Sequence, residues 1–206
     1  MKPGIVTPRQ TEGPFYPDHL PFDTDNDLLL INDSTSMAEG DIVHLHGHVR
    51  DRDGNPIKNA SIEIWQADNH MIYIHSGCPG QDKRDENFQG YGRFLTGPSG
   101  EYYFRTIKPL PYSIGGVTRA PHIHFIVRVD GRRMLTTQVF IKGHELNGRD
   151  MLLLDIADPK AREALQPEYV PLNGKRDEFS VAFDIILDEQ PEDPSWDIYK
   201  EMDGRI

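Results

Sequence analysis

Two histidines, His122 and His124, lie two positions apart in a stretch that alternates between apolar and polar residues. This alternation predicts a β-strand, in which residues two apart leave the same face with Cα atoms roughly 6.6 Å apart. Two imidazoles at that separation can bind one metal ion. The same pattern fits two polar residues on a solvated strand face, but both histidines share their predicted face with Ile126, which a wholly solvated face would not need. The pair is therefore a candidate metal site.

A second histidine cluster, formed by His44, His46 and His48, has the same spacing and also shares one predicted strand face. Three imidazoles could bind zinc, copper or nickel. Nothing acidic or phenolic obviously converges on this cluster, and an exposed strand face in a chain with nine histidines explains it more simply. We therefore predict a solvated strand face here.

Strand patterns dominate the chain and indicate the elements that must position these residues. Alternating apolar residues and turn signals predict strands over about 43–49, 61–66, 91–95, 102–108, 122–129, 134–141 and 179–187. Residues 97–100 are expected to connect a hairpin, and the long connection over about 67–90 suggests a functional loop. Helical character is confined to 149–153 and 159–165. Strands without intervening helices predict an all-β fold, an antiparallel Greek-key-like β-sandwich with long functional loops and short helices.

Composition limits the possible partners and location of the protein. The chain has 206 residues, with 22 basic and 33 acidic side chains and a net charge of −11. Negative charge repels nucleic acid and anionic lipid, and the apolar runs are too short to span a membrane. Cys78 is the only cysteine, and the N-terminal residues lack a signal- or transit-peptide pattern. We therefore expect a cytoplasmic protein that binds neither nucleic acid nor membrane.

The chain length favours one domain rather than two small ones. We expect a single domain over 1–206, with an N-terminal arm at 1–40, a β-sandwich core at about 41–188 and an acidic tail at 189–206.

Several motifs resemble those of the intradiol ring-cleavage dioxygenases, most closely the protocatechuate 3,4-dioxygenase branch. The resemblance covers most of the chain, from Thr11 to about Leu187, with the motifs in the family's order. The segments that carry it are 11–17 (TEGPFYP), 63–67 (EIWQA), 91–93 (YGR), 103–109 (YFRTIKP) and 121–125 (PHIHF). It implies that dioxygen cleaves a catechol-type aromatic, such as protocatechuate, catechol or a hydroxylated catechol, to a cis,cis-muconate-type diacid.

The resemblance also implies a ferric ion, Fe(3+), and a set of ligands for it. The implied ligands are Tyr73, Tyr112, His122 and His124. Anionic phenolates suit a hard ferric ion better than thiolates, and neutral imidazoles complete the set without adding charge. Arg119 and Gln138 match family residues that balance charge and position substrate beside the metal. Tyr112 is implied to leave the metal and accept a substrate proton, whereas Tyr73 stays bound.

Substrate contacts and assembly are also implied by this resemblance. Gly13, Pro14, Tyr16 and Ile114 are expected to line the substrate pocket. The loop that follows Tyr112 is shorter than in the heteromeric protocatechuate enzymes and lacks their tryptophan, which leaves catechols without a carboxylate as possible substrates. A full ligand set in one chain favours a homo-oligomer. The residues before the first strand lack the helical periodicity usual in the catechol and hydroxyquinol branch.

Two other interpretations fit parts of the pattern. A zinc hydrolase could use His122, His124 and a carboxylate such as Glu63, with a bound water as the nucleophile. A transthyretin-like binding module would share the sandwich but would not need two tyrosines and two histidines in this order. Colour distinguishes the zinc enzyme from the ferric one, because zinc is d10 and colourless.

Overall fold

The strands of the described residues form two main sheets and a short two-stranded ribbon. The computed structural model describes residues 4–32, 34–172 and 174–192. The strands are β1 (Ile42–Arg50), β2 (Ser61–Trp65), β3 (Tyr91–Leu95), β4 (Glu101–Ile107), β5 (Tyr112–Ile114), β6 (Val117–Arg119), β7 (His122–Val129), β8 (Arg132–Phe140), β9 (Val170–Pro171), β10 (Glu178–Ala182) and β11 (Ile185–Ile186). The helices are α1 (Met151–Leu154) and α2 (Pro159–Ala164), with 3-10 turns at Gln81–Lys83 and Glu145–Gly148.

One sheet carries the histidine pair and has the order β3-β2-β7-β8, with every neighbouring pair antiparallel. In this sheet His124 lies opposite Trp65 of β2 on one side and opposite Gln138 of β8 on the other. The register therefore brings residues from three separate parts of the sequence to one place on the sheet.

The other sheet is built around β1, which pairs antiparallel with β4 and parallel with β10 and β11. The all-β class and the two-sheet architecture are as predicted. The parallel pairings were not expected, because alternation within a strand shows which face is buried but not which distant strand lies beside it.

The main core lies between the two sheets. It takes Val43 and Leu45 from β1, and Ile123, Phe125 and Val127 from β7. Side chains of a strand alternate between its two faces. The alternate residues of β7, which include His122, His124 and Ile126, therefore point to the opposite face.

That opposite face carries a second, smaller cluster that is mostly aromatic. Its buried members include Phe15, Trp65, Tyr73, Tyr112 and Ile126. We call this group the aromatic cluster. It surrounds the histidine pair, so the face predicted to be partly apolar is fully covered by other parts of the chain.

The predicted hairpin at residues 97–100 is wrong. A tight turn is present, in which the Gly100 amide donates to the Gly97 carbonyl at 3.0 Å. However, β3 belongs to the histidine sheet and β4 pairs with β1. The turn therefore carries the chain from one sheet to the other. Turn residues specify a chain reversal, but the pairing of the flanking strands depends on which sheet buries each of them.

The predicted N-terminal arm runs along both sheets. The Thr7 amide donates to the Ile186 carbonyl at 2.9 Å, and the Gln10 amide donates to the Thr136 carbonyl at 2.8 Å. Of the predicted acidic tail, residues 193–206 lie outside the described residues. In the described ranges, no helix has the length and apolar character needed to cross a bilayer.

Candidate metal centre

The two histidines of β7 point their Nε2 atoms at each other. His122 and His124 are each 3% exposed, and their Nε2 atoms are 3.1 Å apart. Nδ1 of His122 lies 2.6 Å from the Ala120 carbonyl oxygen. Because a carbonyl only accepts, Nδ1 carries the proton and the Nε2 lone pair faces His124. Two ring nitrogens held this way could both bind one metal ion.

Tyr73 brings a phenol oxygen to the same point from the long loop between β2 and β3. Its hydroxyl oxygen lies 3.3 Å from Nε2 of His124 and 3.5 Å from Nε2 of His122. Atoms bound to one ion at about 2.0–2.2 Å lie roughly 2.9–3.6 Å from each other. The three atoms therefore form a triangle of the size that a coordination sphere requires.

Tyr112 completes the group from the first position of β5. Its ring centroid lies 5.3 Å from that of Tyr73 and 5.5 Å from that of His122. It is 8% exposed, compared with 1% for Tyr73. All four side chains that the resemblance singled out thus lie together: the two phenols belong to the aromatic cluster, and the two imidazoles are surrounded by it.

Burial sets the protonation of these groups. It raises the pKa of Tyr73 well above its ordinary value, with further contributions from the charge of Tyr112 and a hydrogen bond to it. Burial also raises the pKa of Tyr112. In contrast, burial lowers the pKa of His122 and His124, and the charge of Arg119 lowers both further. At neutral pH the metal-free site holds neutral imidazoles and protonated phenols.

Arg119 and Gln138 lie beside this group and contact each other. Nη2 of Arg119 donates to Oε1 of Gln138 at 2.6 Å, and Nε2 of Gln138 donates to the Thr11 carbonyl at 3.0 Å. Arg119 lies opposite Tyr112 in the β5–β6 ribbon. The guanidinium group is thus carried by the residue that pairs with the second phenol.

Asp150 is a site neighbour that the sequence did not identify. Its carboxylate accepts from Nε of Arg119 at 2.9 Å and from Nη2 at 3.3 Å. An aspartate just before a helical segment indicates an N-cap, and Asp150 does cap α1 by accepting from the Leu153 amide. Its ion pair with Arg119 joins residues 31 positions apart, so no local sequence pattern predicts it.

Two aromatic residues that the sequence analysis did not assign to the site also contact the ligand candidates. Trp65 stacks on His124 with ring centroids 4.6 Å apart and an interplanar angle of 12°. Phe15 stacks on Tyr73 at 5.3 Å. Their positions in the resembling motifs were visible in the sequence, but their ring contacts depend on tertiary packing.

The predicted substrate residues have different surroundings. A Cβ placed on Gly13 would lie 3.5 Å from Cε1 of His124, so the arm passes directly over the site. Ile114 packs against the aromatic cluster, and Pro14 is exposed.

Tyr16 packs edge-on against Trp65, and its hydroxyl donates to the Glu63 carboxylate at 2.8 Å. Burial raises the pKa of Tyr16 to about 12. The Tyr16 hydroxyl is therefore committed to a carboxylate.

Glu63 does not join the histidine pair. Its carboxylate accepts from Tyr16 and, at 3.0 Å, from Nε of Arg128. Within residues 4–32, 34–172 and 174–192, no three or more His, Cys, Asp or Glu side chains form a group that could hold a metal ion. The zinc site of two histidines and Glu63 therefore lacks its third ligand in this structure.

The histidine cluster on β1 is arranged differently from the pair on β7. His44 lies between the Tyr103 hydroxyl at 2.6 Å and the Glu178 carboxylate at 2.7 Å, whereas His46 contacts Ser180. Nδ1 of His48 lies 3.4 Å from the Asp184 carboxylate. The expectation that nothing acidic or phenolic converges on this cluster is therefore wrong for His44 and His48, because these partners come from parts of the chain that only the fold brings alongside. The rings are at least partly exposed and have different partners, as on a solvated strand face.

Comparisons with known proteins identify the family of the chain. A family model, Dioxygenase_C, described as dioxygenase, matches residues 11–189. Hydroxyquinol 1,2-dioxygenase of Nocardioides simplex is 32% identical, in an alignment that covers 89% of this chain and 65% of that protein. The protocatechuate 3,4-dioxygenase beta chain of Burkholderia cepacia is 31% identical over 153 residues, which cover 72% of this chain and 65% of that one. The chain therefore spans just under two thirds of the length of these curated relatives.

A solved structure gives the same result. It is the dioxygenase domain of a dioxygenase carbohydrate-binding protein fusion from Streptomyces sp. SirexAA-E, with a TM-score of 0.66 and 29% identity. The match covers 89% of this chain and 98% of that one. With a family model that matches most of its length and relatives from both the hydroxyquinol and the protocatechuate branches, the chain belongs to the intradiol ring-cleavage dioxygenase family.

Proposed function

We propose that the protein is a ferric enzyme that uses dioxygen to open a catechol-type ring between its two hydroxyl-bearing carbons, giving a cis,cis-muconate-type diacid. The observation that carries this proposal is the convergence of two buried phenols and two buried imidazoles, three of whose ligand atoms lie 3.1–3.5 Å apart. The names of the relatives in the family support the same activity.

The donor set fits ferric iron. In our proposal the ion is held by Tyr73, Tyr112, His122 and His124. Phenolate oxygens are hard anionic donors, which suit a highly charged cation, and the neutral imidazoles add no charge. A bound cation can displace phenol protons at neutral pH, as metals do for thiols and water. When bound, the ferric ion would supply Lewis acidity for the catechol oxygens and a redox partner for the aromatic ring.

The chain's own residues have distinct roles in this proposal. Tyr73 and the two histidines hold the ion, and Tyr112 is both a ligand and the base that accepts a catechol proton. Arg119 stabilises negative charge that develops on the substrate, because a fixed cation in a buried site acts strongly on charge in the transition state. Gln138 holds one side of the guanidinium and, through the Thr11 carbonyl, ties the N-terminal arm to the site.

The surroundings of the site favour a substrate ring without a carboxylate. Arg119 already forms an ion pair with the Asp150 carboxylate, so it is not an unpaired cation for a carboxylate on the substrate ring. The aromatic cluster supplies mainly apolar contacts. We propose that catechol or a hydroxylated catechol competes with protocatechuate, with Gly13, Pro14, Tyr16 and Ile114 at the pocket.

We also propose a homo-oligomeric assembly of single-domain chains in the cytoplasm. One chain supplies all four proposed ligands, so a second type of subunit is not required for the metal. Cys78, the only cysteine of the chain, is buried and unpaired, which suits a reducing compartment.

Metal analysis combined with a visible spectrum and product identification tests the proposal. The purified protein should contain about one iron per chain, absorb visible light through tyrosinate-to-iron charge transfer, and consume one dioxygen per catechol. His46→Ala, which alters the exposed cluster on β1, should behave like the wild type. Colourless, zinc-loaded protein with full activity would exclude the ferric enzyme.

A further inference from the structure

Asp150 connects two parts of the site without being one of the proposed ligands. The Asp150 residue is 1% exposed, and its carboxylate accepts four hydrogen bonds. Nε of Arg119 and the Ala120 amide donate to Oδ2, both at 2.9 Å, while Nη2 of Arg119 and the Leu153 amide donate to Oδ1 at 3.3 and 3.2 Å. A buried carboxylate with this many donors is fixed in position.

The first connection runs to Arg119. Asp150 binds the edge of the guanidinium formed by Nε and Nη2, and Gln138 binds Nη2 from another direction. Two contacts on a planar group restrict its rotation as well as its position. The guanidinium charge acts on both Tyr112 and His122, so its placement matters to the whole site.

The second connection runs to His122. The Ala120 peptide donates its N–H to Asp150, and its carbonyl accepts from Nδ1 of His122 at 2.6 Å. The same short segment, from the end of β6 to the start of β7, therefore links the carboxylate to the proposed cation and to a proposed ligand. Outer partners of this kind orient metal-binding imidazoles.

We propose that Asp150 is a positioning residue for ring cleavage, which holds the Arg119 guanidinium beside the substrate and, through Ala120, steadies His122 in its ligand tautomer. This inference rests on the proposed function. It assigns to Asp150 a part in the reaction that is separate from its capping of α1.

A double-mutant cycle tests this role. We compare iron-loaded Asp150→Asn, Arg119→Ala and the double variant with the wild type, using catechol as the substrate. Arg119→Ala should lower kcat by about 100- to 1,000-fold, as removal of one preorganised donor does. Asp150→Asn should lower kcat by about 10- to 100-fold with KM changed less than about 3-fold, since the outer partners of a site contribute on this scale.

Non-additivity is the decisive result. If Asp150 acts through Arg119, the double variant should be no slower than Arg119→Ala, within about 3-fold. Asp158 provides a matched control, because it caps α2 by accepting from the Lys160 amide at 3.0 Å and is exposed. Asp158→Asn should leave kcat unchanged.

A second measurement does not depend on turnover. Anaerobic titration with 4-nitrocatechol, followed by the visible spectrum, should give an altered spectrum for bound ligand in Asp150→Asn but not in Asp158→Asn. Multiplicative kcat losses in the double variant overturn the action of Asp150 through Arg119, and a wild-type kcat and 4-nitrocatechol spectrum for Asp150→Asn overturn the inference as a whole; the proposed function stands in both cases. A wild-type protein that cleaves no catechol overturns the proposed function instead, and the positioning role with it.

Discussion

The hydroxyl oxygen of Tyr73 lies 3.3 Å from Nε2 of His124, although the two residues are 51 positions apart in the chain. The contact joins the long loop after β2 to strand β7. Both ends are fixed: Gln81 donates to the Tyr73 carbonyl at 2.7 Å, and Trp65 stacks on the His124 ring. The donor atoms are therefore held close together by the fold itself, so little reorganisation is needed to bind a metal ion.

The first prediction separates the two histidine clusters. His124→Ala should reduce iron affinity by more than about 100-fold, since loss of an outer-shell partner alone reduces metal affinity by 10- to 100-fold. His46→Ala is the matched control, because it belongs to a cluster with the same spacing on an exposed strand face. Iron content after dialysis against citrate measures the effect. Equal iron retention by the two variants would contradict the assignment of His124 as a ligand.

A second prediction concerns the pH dependence of iron retention. The pKa of each phenol is raised by burial, so both phenols regain a proton when the metal leaves, whereas the imidazoles, whose pKa is lowered, stay neutral. Iron affinity should therefore fall as pH falls, by about 100-fold per pH unit for two protons. Tyr112→Phe has one phenol fewer and should lose only about 10-fold per unit.

Equilibrium dialysis of the two proteins against the same citrate buffers, from pH 7.5 to 6, measures this difference. The pH dependence of the chelator cancels in the comparison. Parallel curves for wild type and Tyr112→Phe would show that Tyr112 does not bind the metal as a phenolate.

The sequence was most informative where the pattern is local. The alternation around His122 predicted β7, its buried face and the common direction of the two histidines, because a two-residue period is a property of the strand alone. The resemblance then identified Tyr73 and Tyr112, which would otherwise be unremarkable loop aromatics. The structure brings these side chains together.

Relations between distant parts of the chain could not be predicted from such patterns. The parallel pairing of β1 with β10, the Glu178 contact of His44 and the Asp150 ion pair of Arg119 all join residues that only tertiary structure makes neighbours. The turn at residues 97–100 illustrates the same limit, since its residues encode a reversal and not the sheet that each flanking strand enters.

A third prediction concerns Gly13, where the N-terminal arm passes over the site. Gly13 has φ +74° and its Cβ would lie 3.5 Å from His124, whereas Gly131 has φ +76° and nothing within 4 Å of its Cβ. Alanine at either position strains the backbone by roughly 1–2 kcal/mol. Both variants should therefore lose similar stability in urea, but only Gly13→Ala should raise KM for catechol. An unchanged KM in Gly13→Ala would mean that substrate does not approach beneath the arm.

The last prediction concerns the different roles of the two tyrosines. Tyr73 is 1% exposed, and its backbone is held on both sides, by the Gln81 bond to its carbonyl and by the contact of its amide with Cys78 Sγ at 3.4 Å. Tyr112 is 8% exposed and begins a two-stranded ribbon whose tip, at Gly115 and Gly116, is exposed. Tyr112 is thus the phenol with more freedom to move.

If Tyr112 leaves the metal as catechol binds, its phenolate can accept a catechol proton, because phenols and catechols have similar proton affinities. Tyr112→Phe should then retain iron through the three other ligands but bind catechol anaerobically at least about 10-fold more slowly, at the low end of what a positioned base contributes. Tyr73→Phe should instead shift or bleach the charge-transfer band before any substrate is added. Stopped-flow spectra of anaerobic catechol binding distinguish these outcomes. A wild-type rate in Tyr112→Phe, or a wild-type complex that keeps both tyrosinate bands, would show that Tyr112 does not act as the departing base, even if the four-residue metal site is correct.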